Sequence, residues 1–390
     1  MAGTMKGLRK RLRAWRQSKR LLAEAAFYTG QFESLHLTIP DEEAIRNALR
    51  ARVPRLGART KGRLRILAVY HNYNWENESL RPSLEKFGAV TCYDWGERFD
   101  RTNGSWIPTL RDSMNSDLLA RIGEWMAEAP FDVCFCYLSG EQITPAALAQ
   151  MRSYGFPLVN LSLNDKEHFV GKVRGGRAFG MRDICRHFDL CWTSTEDALK
   201  KYCVEGAMPL YLPEGANPEV HRPYDVERSI DVAFVGQCYG NRPEVIRKLQ
   251  EKGIRAEAFG FGWPNGALAT DEMVKMYSHS RINLGFGGVA GHDDTYCLKG
   301  RDFEIPMSGG LYVTESCAEL EKFFRPGEEV VTYGDFDDLV EKIRHLLSHP
   351  EEAERIRKAG FERARSEHTW EMRFEKVFKL LGVLEAKPQP

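Results

Sequence analysis

The segment 298–310, LKGRDFEIPMSGG, brings Lys299, Arg301, Asp302 and Glu304 close together and closes on Gly309 and Gly310. It follows the apolar run RINLGF and the Gly-rich loop GGVAGHDDTYCLKG, and it precedes the apolar run LYVT. The pattern predicts a short helix over RDFEIPMS, with Pro306 tolerated if it falls in the first turn. A helix N-terminus offers backbone N–H groups and a positive dipole end to a phosphate. Arg301 adds a fork suited to a diphosphate, and Lys299 can supply a second cation. Glu304 lies three residues beyond Arg301 on the same helical face, where a carboxylate can accept two hydrogen bonds from a ribose diol. Gly309 and Gly310 would let backbone approach a ligand closely. These are the parts of a grip for a nucleoside diphosphate. The competing reading is an Arg301–Glu304 surface pair on a capped helix.

A second polar cluster follows the run LRILAVY: His71, Asn72, Asn74, Trp75 and Glu76 lie where a strand meets its loop. An aromatic ring beside amides suits a sugar, the ring covering C–H faces and the amides bonding hydroxyls. A packed Trp75 in an ordinary polar loop is the alternative. A third cluster, Asn164, Asp165, Lys166, Glu167 and His168, follows PLVNLSL. Asp165 reads equally as a helix N-cap. Glu214, in LPEGAN, stands between the two halves of the chain and can serve either a donor or an acceptor, or simply a turn.

The elements that position these residues repeat one pattern. Short apolar runs (LRILAVY, FDVCFCYLS, PLVNLSL, FDLCWTS, PLYLPE) alternate with amphipathic segments such as SDLLARIGEWMAEA and TPAALAQMRSY. Apolar strands alternating with helices predict a parallel sheet covered on both faces. The pattern restarts at SIDVAFVG and runs through AEAFGF, RINLGF, GLYVT and EEVVTY, with a helical tail from about Asp335. PEGANPEVHRPYD, rich in Pro and Gly, reads as the link. The expected divisions are a basic helical arm over 1–60, a first Rossmann-like domain over 61–212, a second over 213–370, and a C-terminal helix and tail over 371–390. Ligands of such sheets bind beyond the C-terminal strand ends, where the polar clusters lie.

The totals set limits. A chain of 390 residues fits two or three domains, and 43% hydrophobic with 28% charged residues is globular. Lys and Arg balance Asp and Glu at 55 each, so a nucleic-acid partner is not expected. Only the opening MKGLRKRLRAWRQSKRLL is basic. Leu8, Leu12, Trp15 and Leu22 fall at roughly helical spacing there. Residues 1–25 therefore read either as a helix lying on an anionic membrane or as one packed on the body. No signal peptide or membrane span is expected. The nine cysteines lack a CxxC pair and read as reduced core residues of a cytoplasmic protein. Asp293 and Asp294 are expected to face outward, not to bind a metal. GFGGVA (285–290) lacks the helix that a dinucleotide fingerprint needs.

The stretches DVAFVG with Asn241 and Arg242, GFGWPNG, SRINLGF, LKGRDFEIPMSGGLYVTE, FFRPGEEVVTYGDFDDLVEKI and HTWEMRF resemble GT-B-fold glycosyltransferases, and within them the group related to the spore-maturation protein CgeB. The resemblance runs from about residue 64 to 378 and is strongest over 229–378. It implies an α/β GT-B architecture, two Rossmann-like doubly wound domains facing across a cleft. It implies a cytoplasmic enzyme, or one peripheral at the inner face of a membrane, that moves a sugar from a nucleotide-diphosphate donor to a hydroxyl on a glycan, lipid-linked or protein acceptor. No metal or other cofactor is expected. In the donor site Glu304 would hold the ribose, Arg301 and Lys299 the diphosphate, with Gly236 and Arg242 also facing the phosphates. Trp263 would either stack on the base or pack in the core. Asn72, Trp75 and Glu214 would line the acceptor side. The acceptor hydroxyl needs a general base, and Asp165 is the first candidate, with His168 and His71 next. Counting back from Glu304, the first position of the paired glutamates found in many retaining members is Tyr296, which leaves the stereochemistry open. It also keeps two alternatives in view, an epimerase-like enzyme and a non-catalytic nucleotide-binding assembly protein.

Overall fold

The computed structural model describes residues 2–54, 56–288 and 296–385, with side chains from residue 15 onward. The chain forms two compact units, residues 20–213 with 373–390, and residues 1–19 with 214–372. The chain therefore changes unit at 213/214, next to the expected boundary at 212/213. The expected arm 1–60 is shared between the units, and the C-terminal segment returns to the first.

The first unit is built on strands β1 (Leu64–Tyr70), β2 (Gly88–Asp94), β3 (Val133–Cys136) and β4 (Leu158–Ser162), a small antiparallel hairpin of β5 (Val173–Arg174) and β6 (Arg177–Ala178), then β7 (Leu190–Thr193) and β8 (Pro209–Tyr211). The sheet is parallel in the order β2-β1-β3-β4-β7-β8. Strand β1 pairs on one side with β2, Tyr70 opposite Asp94, and on the other with β3, Ala68 opposite Phe135. Six of its seven residues are buried, which is why LRILAVY is a near-continuous apolar run. The order reverses between β1 and β3, so loops after these two strands flank a switch point. The helix Trp370–Leu380 supplies Phe374 to this core, edge-on to Phe135 at 5.4 Å and to Trp192 at 5.6 Å.

The second unit carries β9 (Ile230–Val235), β10 (Ala256–Phe259), β11 (Ser280–Leu284), β12 (Tyr312–Glu315) and β13 (Val331–Tyr333), parallel in the order β10-β9-β11-β12-β13. Val232 lies opposite Ala256 in β10 and Ile282 in β11. The switch point falls between β9 and β11, and the turns that follow them begin at Gly236 and Gly285. The helix Gly300–Met307 leads into β12. Its Pro306 sits in the last turn and not the first, and the helix ends one residue later, so few backbone bonds are lost.

The helix Ala2–Ser34 is long and continuous. Tyr28 is buried and donates to Glu205 at 2.8 Å, and Glu24 pairs with buried Lys201 at 2.7 Å. Trp15, Leu22 and Phe27 on the same helix are exposed. All nine cysteines are free.

Candidate functional site

The second unit gathers its unusual residues around the helix Gly300–Met307. Lys299 is the N-cap, and its backbone N–H donates to the Asp302 carboxylate at 2.5 Å while Tyr312 OH donates to the other oxygen at 2.5 Å. Burial pushes the Asp302 carboxyl up from its ordinary range. Asp302 is thereby committed to holding the helix start. The Lys299 ammonium donates to Cys297 Sγ at 2.7 Å.

Arg301 and Arg242 are brought together. Each guanidinium lies 5.2 Å from the centre of the Phe234 ring. Arg242 opens the helix Arg242–Glu251, is 4% exposed and donates to Gln237 O at 3.0 Å. Its pKa is brought down to about 10 by burial first and by the neighbouring Arg301 charge second. Arg242 remains cationic at neutral pH, and the two guanidiniums form a like-charge pair in a partly desolvated place. Arg301 Nη1 is buried and has no hydrogen-bond partner among the described residues. A buried cationic donor left open beside a second guanidinium is arranged for an anion.

Gly236 explains its own identity here. A Cβ at that position would stand 2.8 Å from Arg301 Nη2 and 2.8 Å from Phe234 Cζ. The glycine therefore admits the guanidinium against the turn after β9. Trp263 donates from Nε1 to Gly236 O at 2.9 Å and meets Phe234 edge-on at 6.2 Å. Its indole is thus a brace for this turn. Phe261, two residues earlier, is 76% exposed and was not singled out from the sequence.

Two carboxylates converge on Gly300. A Cβ there would be 2.9 Å from Glu304 Oε1 and 3.1 Å from Glu214 Oε2. Glu214 therefore lies beside Glu304, on the donor side of the two places the sequence left open for it. Burial first, then the Glu304 charge, push Glu214 up to about 8. His221 Nε2 stands 3.7 Å from Glu304 Oε1, and burial pulls its pKa down despite that carboxylate. Glu304 itself keeps 18% side-chain exposure, so a ligand can reach it.

Gly309 and Gly310 have a structural task. Gly309 has φ +69° and donates to Pro306 O at 2.9 Å, and Gly310 donates to Ile305 O at 2.9 Å. A Cβ at Gly310 would press on Asn283 Nδ2 and Ile305 Cγ2, each at 2.8 Å. The pair ends the helix and lets it pack on β11. It does not give backbone access to a ligand.

In the first unit, His71 follows β1 and Asp94 ends β2. His71 Nδ1 lies 2.7 Å from Asp94 Oδ1, and Asp94 Oδ2 accepts the Asn72 N–H at 3.0 Å. With Nδ1–H donating to the carboxylate, the Nε2 lone pair is left for a proton. The ring stands against Tyr73 at 4.6 Å and Trp95 at 4.7 Å and keeps 28% exposure. Asn72 Oδ1 accepts Asn77 N–H at 3.2 Å, so Asn72 is tied into the loop. Buried Glu76 accepts from the N–H groups of Tyr73, Asn74 and Trp75 at 2.9 to 3.2 Å, which fixes the loop that carries Trp75.

Asp165 is different from the expected base. It is 1% exposed, accepts from Ser162 Oγ and from Tyr202 OH at 2.7 Å, and is pushed up by burial. Its oxygens are engaged inside the unit, so it is a strut and presents none to an acceptor. His168 lies on the surface, 3.7 Å from Glu167. His71 is the candidate whose partner and exposure suit proton transfer. Asp94, the residue that orients it, was missed in the sequence.

No group of three His, Cys, Asp or Glu side chains among the described residues could hold a metal ion. Asp293 and Asp294 lie outside the described residues.

Residues 242–379 match the family model described as "Glycosyl transferase-like". No curated protein matches the sequence significantly. Sucrose-phosphate synthase from Thermosynechococcus elongatus is similar in structure, with TM-score 0.57, 12% identity, and 82% of this chain and 99% of that one covered. HepE of Anabaena in complex with UDP and glucose gives TM-score 0.55 at 9% identity, covering 83% and 100%. An alpha-glucosyltransferase in complex with UDP-glucose and DNA containing an abasic site gives 0.54 at 13%, covering 82% and 99%. These likenesses establish the fold as the GT-B fold of glycosyltransferases, and the stretch similar to the glycosyl transferase-like family, 242–379, lies mostly in the second unit and ends in the first.

Proposed function

We propose that the protein is a glycosyltransferase that moves a sugar from a nucleoside-diphosphate donor to a hydroxyl acceptor, and that it belongs with the CgeB-related group. The observation that carries the reading is the Arg242–Arg301 pair against Gly236, with a buried guanidinium donor left open beside a helix N-terminus. The departing diphosphate would sit there, its charge met by two guanidiniums and backbone N–H groups in place of a metal. Glu304 would accept from the ribose diol. His71, oriented by Asp94, would take the acceptor proton as the hydroxyl oxygen bonds the anomeric carbon and the nucleoside diphosphate leaves. UDP and UDP-glucose in the similar structures support a nucleotide-sugar donor.

Calorimetry against UDP, GDP, ADP and CDP tests the reading. One nucleotide is expected to bind selectively, with affinity unchanged by EDTA. Binding of none, or binding that EDTA abolishes and Mn²⁺ restores, would remove the metal-independent transferase. An epimerase would turn over the donor without an acceptor, and an assembly protein would bind it without turnover.

His71→Gln should lower kcat by roughly 10²–10⁴ while leaving nucleotide affinity unchanged. Asp94→Asn should lower it less and distort the pH profile. Equal kcat in His71→Gln and the parent would return the search for a base to His168.

The acceptor is a glycan, a lipid-linked sugar or a protein, in a cytoplasmic pathway of glycan or envelope assembly. No helix among the described residues is long and apolar enough to cross a membrane. Exposed Trp15, Leu22 and Phe27 on a helix with Arg16, Lys19 and Arg20 support peripheral contact with an anionic bilayer. The intact protein should float with anionic vesicles, and a variant lacking residues 1–25 should not. Equal flotation of both would dismiss the contact.

A further inference from the structure

The first unit contains a cavity of about 580 Å³ that neither the donor grip nor the His71–Asp94 pair uses. It lies by the start of the helix Pro145–Ser153, whose N-cap is Thr144, and by Gly140, which follows β3. Arg111 and Arg177 line it, with Phe179, Ile143 and Leu119 as its apolar wall; of the two carboxylates on its edge, Asp112 is largely exposed and Asp183 is already taken by the Ala178 N–H at 2.7 Å and by Arg182 at 2.6 Å. Arg111 is 8% exposed and is fixed by donation from Nη1 to Gly140 O at 3.1 Å and by Phe179, whose ring centre is 5.4 Å away. Its Nε is buried with no hydrogen-bond partner among the described residues; it is ion-paired at 3.5 Å with Asp112 Oδ1, a largely exposed carboxylate too distant and too screened to satisfy the donor. Arg177, on the tip of the β5–β6 hairpin, is exposed and adds a second cation. The nine-residue helix directs its positive end to the same place.

A fixed guanidinium with an open donor, a second arginine and a helix N-terminus around one cavity match a compact anion. The apolar wall matches the body that carries it. We propose that this cavity is an anion subsite of the first unit, taking a carboxylate or phosphate group borne by the acceptor. The acceptor would then be an acidic sugar or a phosphorylated carrier and not a neutral glycan. Calling the ligand an acceptor rests on the transferase reading; the anion site itself does not.

Calorimetry on the full chain at constant ionic strength tests this with inorganic phosphate, glucuronate and glucose, each with and without saturating UDP. At least one of the two anions should bind, glucose should not, and UDP should leave the anion affinity unchanged. Phosphate alone identifies a phosphorylated carrier, glucuronate alone an acidic sugar. Arg111→Gln should weaken the anion about tenfold or more. Arg177→Gln, at an exposed position that the fold does not need, should weaken it by about threefold and decides the matter if Arg111→Gln fails to fold. The proposal is overturned if neither anion binds, if both variants bind as the parent does, or if UDP displaces the anion. A failure of UDP, GDP, ADP and CDP alike to bind would instead sink the transferase reading and leave the anion result standing.

Discussion

Glu304→Ala should weaken nucleoside-diphosphate binding by roughly a hundredfold or more and, at the same time, leave the fold as stable as the parent or more so. The first half follows from losing two hydrogen bonds to a charged acceptor, each worth about 1.5–3 kcal/mol. The second follows from the neighbourhood. Glu304 and Glu214 converge on the same point above Gly300, and the Glu304 charge is one of the causes that hold the Glu214 carboxyl up. Removing it lets the Glu214 carboxyl fall back toward its ordinary value, and so reduces the stability the fold loses at pH 7 by keeping that proton. Against this stands the attraction of His221 at 3.7 Å, a histidine whose pKa burial has pulled down. A residue kept for packing would show the opposite pattern, with stability lost and binding preserved. Calorimetry with the preferred nucleotide and thermal unfolding at pH 7 read both quantities. Unchanged affinity would show that the helix Gly300–Met307 is not the ribose grip.

The two sheets were legible because their strands are buried on both faces. LRILAVY became β1 and IDVAFV became β9, since a parallel interior strand needs a near-continuous apolar run, interrupted here at Arg65 and Asp231. Strand β2 was not legible. Gly88–Asp94 is an edge strand, mostly half-exposed, and GAVTCYD carries no such run. That omission hid the partner of His71. Tyr70 lies opposite Asp94 in the β1–β2 register, so a reader who had seen β2 would have found His71 and Asp94 at adjacent strand ends.

Within the proposed donor grip, residue types were legible and their neighbours were not. The charge density of 299–304 signalled a site, and Arg301 and Glu304 were read from it directly. The approach of Arg242 and of Glu214 depends on the turn after β9 and on where the chain enters the second unit, which no local pattern encodes. Asp165 shows the reverse error. An acid after a strand reads as an available base, but its availability depends on Ser162 and Tyr202, which fold over it. The Gly309–Gly310 pair was read as access for a ligand because a φ of +69° and a tight helix-to-strand contact look the same in a sequence.

Glu214→Gln should stabilise the protein at pH 8 by roughly 2–4 kcal/mol and change it little at pH 5. The sign follows from proton counting. An unfolded glutamate releases its proton near its ordinary value of 4.5, whereas Glu214 in the fold holds it to about 8. Below pH 4.5 both states are protonated and the stability is fully present. Between 4.5 and 8 the unfolded chain has lost a proton that the folded one keeps, so stability falls as pH rises, by about 1.4 kcal/mol per pH unit at most. Above 8 the folded carboxylate ionises too and the loss is complete. Glutamine reproduces the shape and polarity of the neutral acid and has no proton to lose, so the variant should not share this slope. Asp302 and Glu315 are also raised by burial and give the parent further pH dependence of the same sign. The difference between parent and variant, measured by urea unfolding from pH 5 to 8.5, isolates Glu214 from them. A difference that stays constant across that range would mean that Glu214 is ionised throughout, its charge carried by Lys299 and Arg301. The pair above Gly300 would then be two carboxylates held by two cations, and donor binding would gain nothing from a neutral acid beside the ribose grip.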